Sequence, residues 1–213
     1  MSSIFFGCGR HTNCCIKCLN PITVSKKDFH AEAQFSQLRR LRQIRQYLSK
    51  KATESLVHSF VSSTLDYCNA LLYGCAKHLL DKLQKIQNCA ARVVMGGRKY
   101  DHVKPLLKAL HWLPVAQRID FKIALLTYKC LNGFAPKYLV DLLEVEESCR
   151  ALRSNKKNRL QLPMTRTKTL GTRAFTYAAP AVWNSLPDNI KNTKCIKAFK
   201  ILLKTHYFEK AYN

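Results

Sequence analysis

Three groups of residues in this chain have types and spacings that could do chemistry. The first is Cys15-x-x-Cys18, with Cys8, His11 and Cys14 close by. A two-residue gap lets two thiolates reach one zinc ion. A structural site usually needs a second ligand pair beyond a loop, and the next cysteine is Cys68. Residues 1–30 are therefore expected to form an irregular tail with reactive thiols, and no metal site is predicted. The second group is the carboxylates. Phosphoryl transfer on two metal ions needs acidic ligands that hold the ions about 4 Å apart. The seven aspartates stand at 28, 66, 81, 101, 120, 141 and 188, and no two are adjacent. Asp66 and Asp120 fall inside expected helices, where a hydrogen bond or an ion pair is the expected role. The third is His111 beside Trp112, in a Leu-x-x-Leu-Pro turn, where a packed, hydrogen-bonded histidine is expected. No Gly-rich phosphate loop, nucleophile elbow or paired-His zinc motif occurs. The sequence predicts no catalytic residue and no cofactor.

Charge points elsewhere. Against 36 Lys+Arg stand 13 Asp+Glu, a formal net charge of +23 over 213 residues. Repulsion on that scale opposes compaction, so a polyanionic partner is expected, nucleic acid first and an anionic membrane surface second. The candidate phosphate-binding residues are Arg39, Arg40, Arg42 and Arg45, then Lys50 and Lys51, then Lys82, Lys85 and Arg92, with Arg98 and Lys99 after them. A further strip from Arg150 to Arg173 holds eight Lys/Arg and no acid. Its candidates are Arg153, Lys156, Lys157, Arg159, Arg166 and Lys168.

Hydrophobic residues make up 47% of the chain, enough for a real core. No apolar run approaches the ~18 residues of a membrane span. Cys68, Cys75, Cys89 and Cys130 sit in apolar helical patterns, where cysteine acts as a small buried hydrophobe. An intracellular, reducing setting with free thiols is expected.

The elements that must carry these residues are mostly helices. Phe35, Leu38, Leu41, Ile44 and Leu48 repeat at helical spacing. A second helix is expected over about 53–73 with Gly74 as its stop, and a third over about 77–95 ending at Gly96-Gly97. Asp101 is a candidate cap for a short helix containing Leu106, Leu107 and Leu110. Pro114 then breaks the chain. The helix expected over 115–131 is apolar on nearly all sides, which places it at the centre. A short helix starts at Pro136 and ends near Leu143. Alternation at Leu160-Gln161-Leu162-Pro163 and in Thr165 to Leu170 predicts a small β-ribbon. Pro180 should kink or split the helix that follows Gly171. A last amphipathic helix covers about 196–208, with Ile196, Phe199, Leu202 or Leu203, and Tyr207 inward. The fold class is mainly α: an antiparallel helical bundle with a small β-ribbon and a C-terminal helix. Three segments are expected: a tail over 1–30, a helical domain over 31–147, and a basic segment over 148–213 that packs on it.

Four blocks resemble the carboxy-terminal part of the reverse-transcriptase polyprotein of non-LTR (LINE-type) retrotransposons, in the jockey and chicken-repeat group. They are Val57-His58-Ser59-Phe60-Val61-Ser62-Ser63-Thr64-Leu65-Asp66-Tyr67-Cys68-Asn69-Ala70-Leu71-Leu72-Tyr73-Gly74; Leu83-Gln84-Lys85-Ile86-Gln87-Asn88-Cys89-Ala90-Ala91-Arg92; Leu110-His111-Trp112-Leu113-Pro114 running on to Asn132-Gly133-Phe134-Ala135-Pro136; and Gly171-Thr172-Arg173-Ala174-Phe175, continuing through Trp183-Asn184-Ser185-Leu186-Pro187 to Phe199-Lys200. They span about Phe35 to Tyr207 in the family's order, and residues 1–30 lie outside the match. The resemblance implies a helical thumb that grips template–primer duplex, downstream of a palm that holds the polymerase carboxylates. It also implies a nuclear location. Those carboxylates are absent here, so the expected activity is sequence-nonspecific nucleic-acid binding without polymerase chemistry. Two alternatives stay open: a non-functional open reading frame of a degenerate element, and a structural module that pairs with an intact polymerase.

Overall fold

The computed structural model describes residues 32–146, 159–167 and 170–213. Helix α1 covers residues 32–44, followed by a 3-10 turn at Arg45–Tyr47. Leu38 and Leu41 are buried, while Ile44 is exposed. Helix α2, Lys50–Val57, begins at Ser49, whose hydroxyl accepts the Ala52 N–H. A π-helical stretch, His58–Ser62, leads into α3, Ser63–Asp66.

The single helix expected over 53–73 is thus interrupted. Tyr67 turns extended and Cys68 takes a left-handed conformation (φ 50°) before a 3-10 turn at Asn69–Leu72. The apolar stripe continues through the break because Leu65 and Leu72 are both buried. Cys68 itself is exposed, unlike the buried Cys75 and Cys130.

Helix α4, Lys77–Met95, matches its expected bounds and ends where Gly96 turns left-handed (φ 71°). Helix α5 is Val103–Ala109, and its first-turn neighbour is His102 with no side-chain cap. The Asp101 carboxylate instead accepts the Arg98 N–H at 2.6 Å, closing the turn before the helix.

Helix α6, Val115–Leu131, buries Ile119, Ile123, Ala124, Thr127 and Tyr128. It packs against α4, α8 (Phe175–Asn184), α10 (Ile196–Tyr212) and the 69–72 turn. Its outer side is less covered than its composition predicts: Phe121, Leu125 and Leu126 are half-buried and Lys122 is exposed. Helix α7 is the short Lys137–Val140, and α9 is Asp188–Lys191.

No β-ribbon forms among the described residues, where the one pairing is a bridge between Val145 and Leu160. The physical reason is on α8. The Asn184 side chain accepts the Leu160 N–H at 3.1 Å and donates to the Leu160 carbonyl at 2.8 Å. One amide thereby satisfies both backbone groups that a neighbouring strand would have paired. Helix α8 also runs through Pro180 without splitting.

One hydrophobic cluster joins the first helices to the last, from Leu38 to Tyr207. At its centre Tyr128 stacks on Phe199 with ring centroids 4.0 Å apart, and Trp183 lies 6.2 Å from Phe199. The Tyr128 hydroxyl donates to the Thr193 carbonyl at 2.8 Å. In α10, Phe199, Leu203 and Tyr207 point inward, so Leu203 takes the core position and Leu202 is exposed.

Candidate nucleic-acid interface

The candidate basic residues divide into those whose donors serve the fold and those turned to solvent. Arg45 belongs to the first set. Its Nε donates to the Val93 carbonyl at 2.7 Å, and its guanidinium also reaches the Val94 carbonyl at 3.3 Å. These are carbonyls of the last turn of α4, which lack helical partners and sit at the negative end of the helix dipole. Gly96 makes the approach feasible. Its φ is +71°, and a Cβ there would stand 2.6 Å from the Arg45 guanidinium. Arg45 therefore staples α1 to α4.

Arg92 is engaged in a similar way. It donates through Nε and a terminal nitrogen to the Asp101 carbonyl, at 3.4 and 3.0 Å. Both arginines, expected as phosphate ligands, also serve as donors within the fold.

Close to Arg45 and Val94 in the chain lie seven exposed cations. Arg39, Arg40 and Arg42 are exposed on α1, Lys50 and Lys51 at the start of α2, and Arg98 and Lys99 just past α4. Each lies no more than six positions from Arg45 or from Val94, the two residues the staple joins. Lys50 and Lys51 also occupy the first turn of α2, which contains no acidic residue. Helix N-termini carry positive partial charge, so those two lysines reinforce it.

The remaining candidates are spread out. Lys82 and Lys85 are exposed farther up α4, at least eight residues from Val93, or about 12 Å along the axis. Arg159 and Arg166 are exposed as well. Arg159 lines a cavity with Leu131, Asn132 and Lys191 at the far end of α6. That end is roughly 24 Å from Val115, where α4 meets α6. Arg153, Lys156, Lys157 and Lys168 lie outside the described residues, as does the cysteine-rich stretch 1–30.

The polar residues of the four sequence blocks have a different fate, because they bind one another. Gln87, almost fully buried, donates to the Leu113 carbonyl at 2.8 Å. The Gln84 Oε1 accepts the Val115 N–H at 2.9 Å and so caps the start of α6. Arg118 donates through Nε to the same Leu113 carbonyl and through a terminal nitrogen to both Asp66 oxygens, at 3.1 and 3.0 Å. Asp66 therefore makes the ion pair expected of it. Arg173 Nε donates to the Gly74 carbonyl at 2.9 Å.

His111 departs from expectation. It is exposed, takes φ 53°, and lies with its ring 5.5 Å from that of Phe208. The buried member of the pair is Trp112, whose ring lies 5.3 Å from His58. Asp120 has its carboxyl pushed above the usual range by burial, against the opposing pull of Lys210. Burial also raises the Tyr73 and Tyr207 phenols, with the Asp120 charge adding to both.

Among the described residues no group of three or more His, Cys, Asp or Glu could hold a metal ion, and no helix is long and apolar enough to cross a membrane. No family model, curated protein or solved structure matches the chain.

Proposed function

We propose that this chain is a thumb-like portion of a reverse-transcriptase-type polymerase lineage, an antiparallel bundle that grips the phosphate backbone of a nucleic-acid duplex without sequence preference. It carries no polymerase active site. The observation behind this reading is the group of seven exposed cations, Arg39, Arg40, Arg42, Lys50, Lys51, Arg98 and Lys99, around the Arg45 staple. The Arg45 hydrogen bonds hold the end of α1 to the end of α4, near which these charges lie in the chain. Charges held in place meet successive phosphates with little loss of order on binding.

Titrating a DNA duplex and an RNA–DNA hybrid at two salt concentrations tests the reading. Neutralising about five phosphates gives a slope of log K against log salt near −4 to −5. A flat response, or no binding at low salt, overturns it.

A second reading has its own support. Tyr47, Tyr67, Phe134 and Tyr138 are large, apolar and exposed. They favour a module that packs against a protein partner, such as an intact polymerase. Co-purification with such a polymerase, lost on replacing these residues with serine, separates the two readings.

A further inference from the structure

The turn between α4 and α5 displays a tyrosine that the fold does not use. Tyr100 is 87% exposed, and a ring left in water adds nothing to the core. Its backbone is nevertheless held on both sides. The Gly97 N–H donates to the Arg92 carbonyl at 2.9 Å, and the Asp101 N–H donates to the Arg98 carbonyl at 3.3 Å. The Arg98 N–H donates to the Asp101 carboxylate at 2.6 Å, and Arg92 donates to the Asp101 carbonyl at 3.0 Å. A tied turn thus presents a ring to solvent.

The surroundings of that ring are cationic. Arg98 and Lys99 directly precede it, and both are exposed. The Lys99 ammonium lies 5.5 Å from the ring centroid. Asp101, the acidic residue of the turn, has its carboxylate engaged by the Arg98 N–H. Two cations alone would suit any polyanion, and the ring selects among them. It matches a partner that joins flat rings to phosphates. A paired base offers no such ring, because its neighbours in the duplex cover both faces. An unpaired base leaves a face open for stacking, whatever its identity.

We propose that this turn binds single-stranded nucleic acid, with one base stacked on Tyr100 and the adjoining phosphates on Arg98 and Lys99. The inference rests on the reading that these cations meet phosphates, and it adds the state of the strand.

Fluorescence anisotropy of the full chain with three labelled probes tests it. The probes are a single-stranded oligothymidine, an abasic strand with the same number of phosphates, and a blunt duplex. Stacking of one base on an aromatic ring changes affinity roughly 5- to 150-fold. Oligothymidine should therefore bind at least about fivefold tighter than the abasic strand. Tyr100→Ala should erase that difference. It should leave abasic binding and the salt slope unchanged, because no charge is removed. Tyr100→Phe should keep the difference. Lys99→Ala should weaken both strands and lower the slope by roughly 0.7. The substituted side chains are exposed, and a thermal melt checks each fold.

Equal affinity for the two strands, or a base preference that survives Tyr100→Ala, overturns the proposal. Loss of the preference in Tyr100→Phe also overturns it, by assigning the effect to the hydroxyl. Salt-dependent duplex binding without any base preference keeps the duplex-gripping reading and sinks this one. A Tyr100-dependent preference for the single strand with no duplex binding does the reverse. Binding to none of the probes removes both.

Discussion

Arg173 donates its Nε to the carbonyl of Gly74, a residue 99 positions earlier in the chain. The contact ties the entry to α8 to the turn that precedes α4. Gly74 is left-handed (φ 67°), and a Cβ there would stand 2.9 Å from the Arg173 Cγ. Gly74→Ala should therefore destabilise by about 1–2 kcal/mol through backbone strain alone. Arg173→Ala should cost up to about 1.5 kcal/mol for the hydrogen bond. Urea unfolding of both single variants and the double measures their coupling. A strictly additive double variant would show that the two residues do not depend on each other.

Arg42 and Arg45 should behave as opposites despite their proximity. Arg45→Ala removes the donors that cap α4, at a cost of roughly 1–2 kcal/mol of stability. Arg42→Ala should leave the melt unchanged and lower the salt slope of duplex binding by about 1. Thermal melts paired with binding at two salt concentrations distinguish them. Equal effects in both assays would show that the two arginines share one role.

Gln87 is nearly fully buried and holds the Leu113 carbonyl. Gln87→Leu would retain much of the volume and orphan part of the demand of that carbonyl, which Arg118 also meets. The expected loss is about 1–3 kcal/mol. Gln84→Ala, which removes the cap on the Val115 N–H, should cost about 0.5–2 kcal/mol. Denaturant midpoints at constant slope report both.

Alkaline stability should fall in a defined window. Burial pushes the Tyr212 phenol up to about 12 from an ordinary 10.0, and raises Tyr207 and Tyr73 as well. Above pH 10 the unfolded chain gives up protons that the folded chain keeps. Stability from these groups is thus full below pH 10 and is lost as pH rises through about 12. The last part of the tyrosinate absorbance, from the buried phenols, should appear together with loss of helical circular dichroism. Tyrosine ionisation completed well before unfolding would refute it.

Helix α4 was legible to the residue because one apolar stripe and one glycine agree on where it runs. The break at Cys68 was not legible. The stripe continues across it, and nothing local demands a left-handed cysteine. That no β-ribbon forms among the described residues has a related reason. Alternation at Leu160 describes which side chain is buried, but Asn184, 24 positions away, decides what the backbone pairs with. At the candidate interface, charge counting found the arginines and could not tell Arg42 from Arg45, since the difference lies in the reach of one guanidinium to the end of another helix.

The mutual bonding of the four recognisable blocks has a consequence for descent. Gln84, Gln87, Arg118, Asp66 and Arg173 hold the blocks to one another, so losing one weakens the contacts between them. Selection for a folded chain would keep such residues whether or not the chain ever meets a substrate. The parts of this sequence that best advertise ancestry are therefore weak witnesses to activity. Divergence at the exposed cations, which the fold does not require, would be the better record of what the protein has been used for.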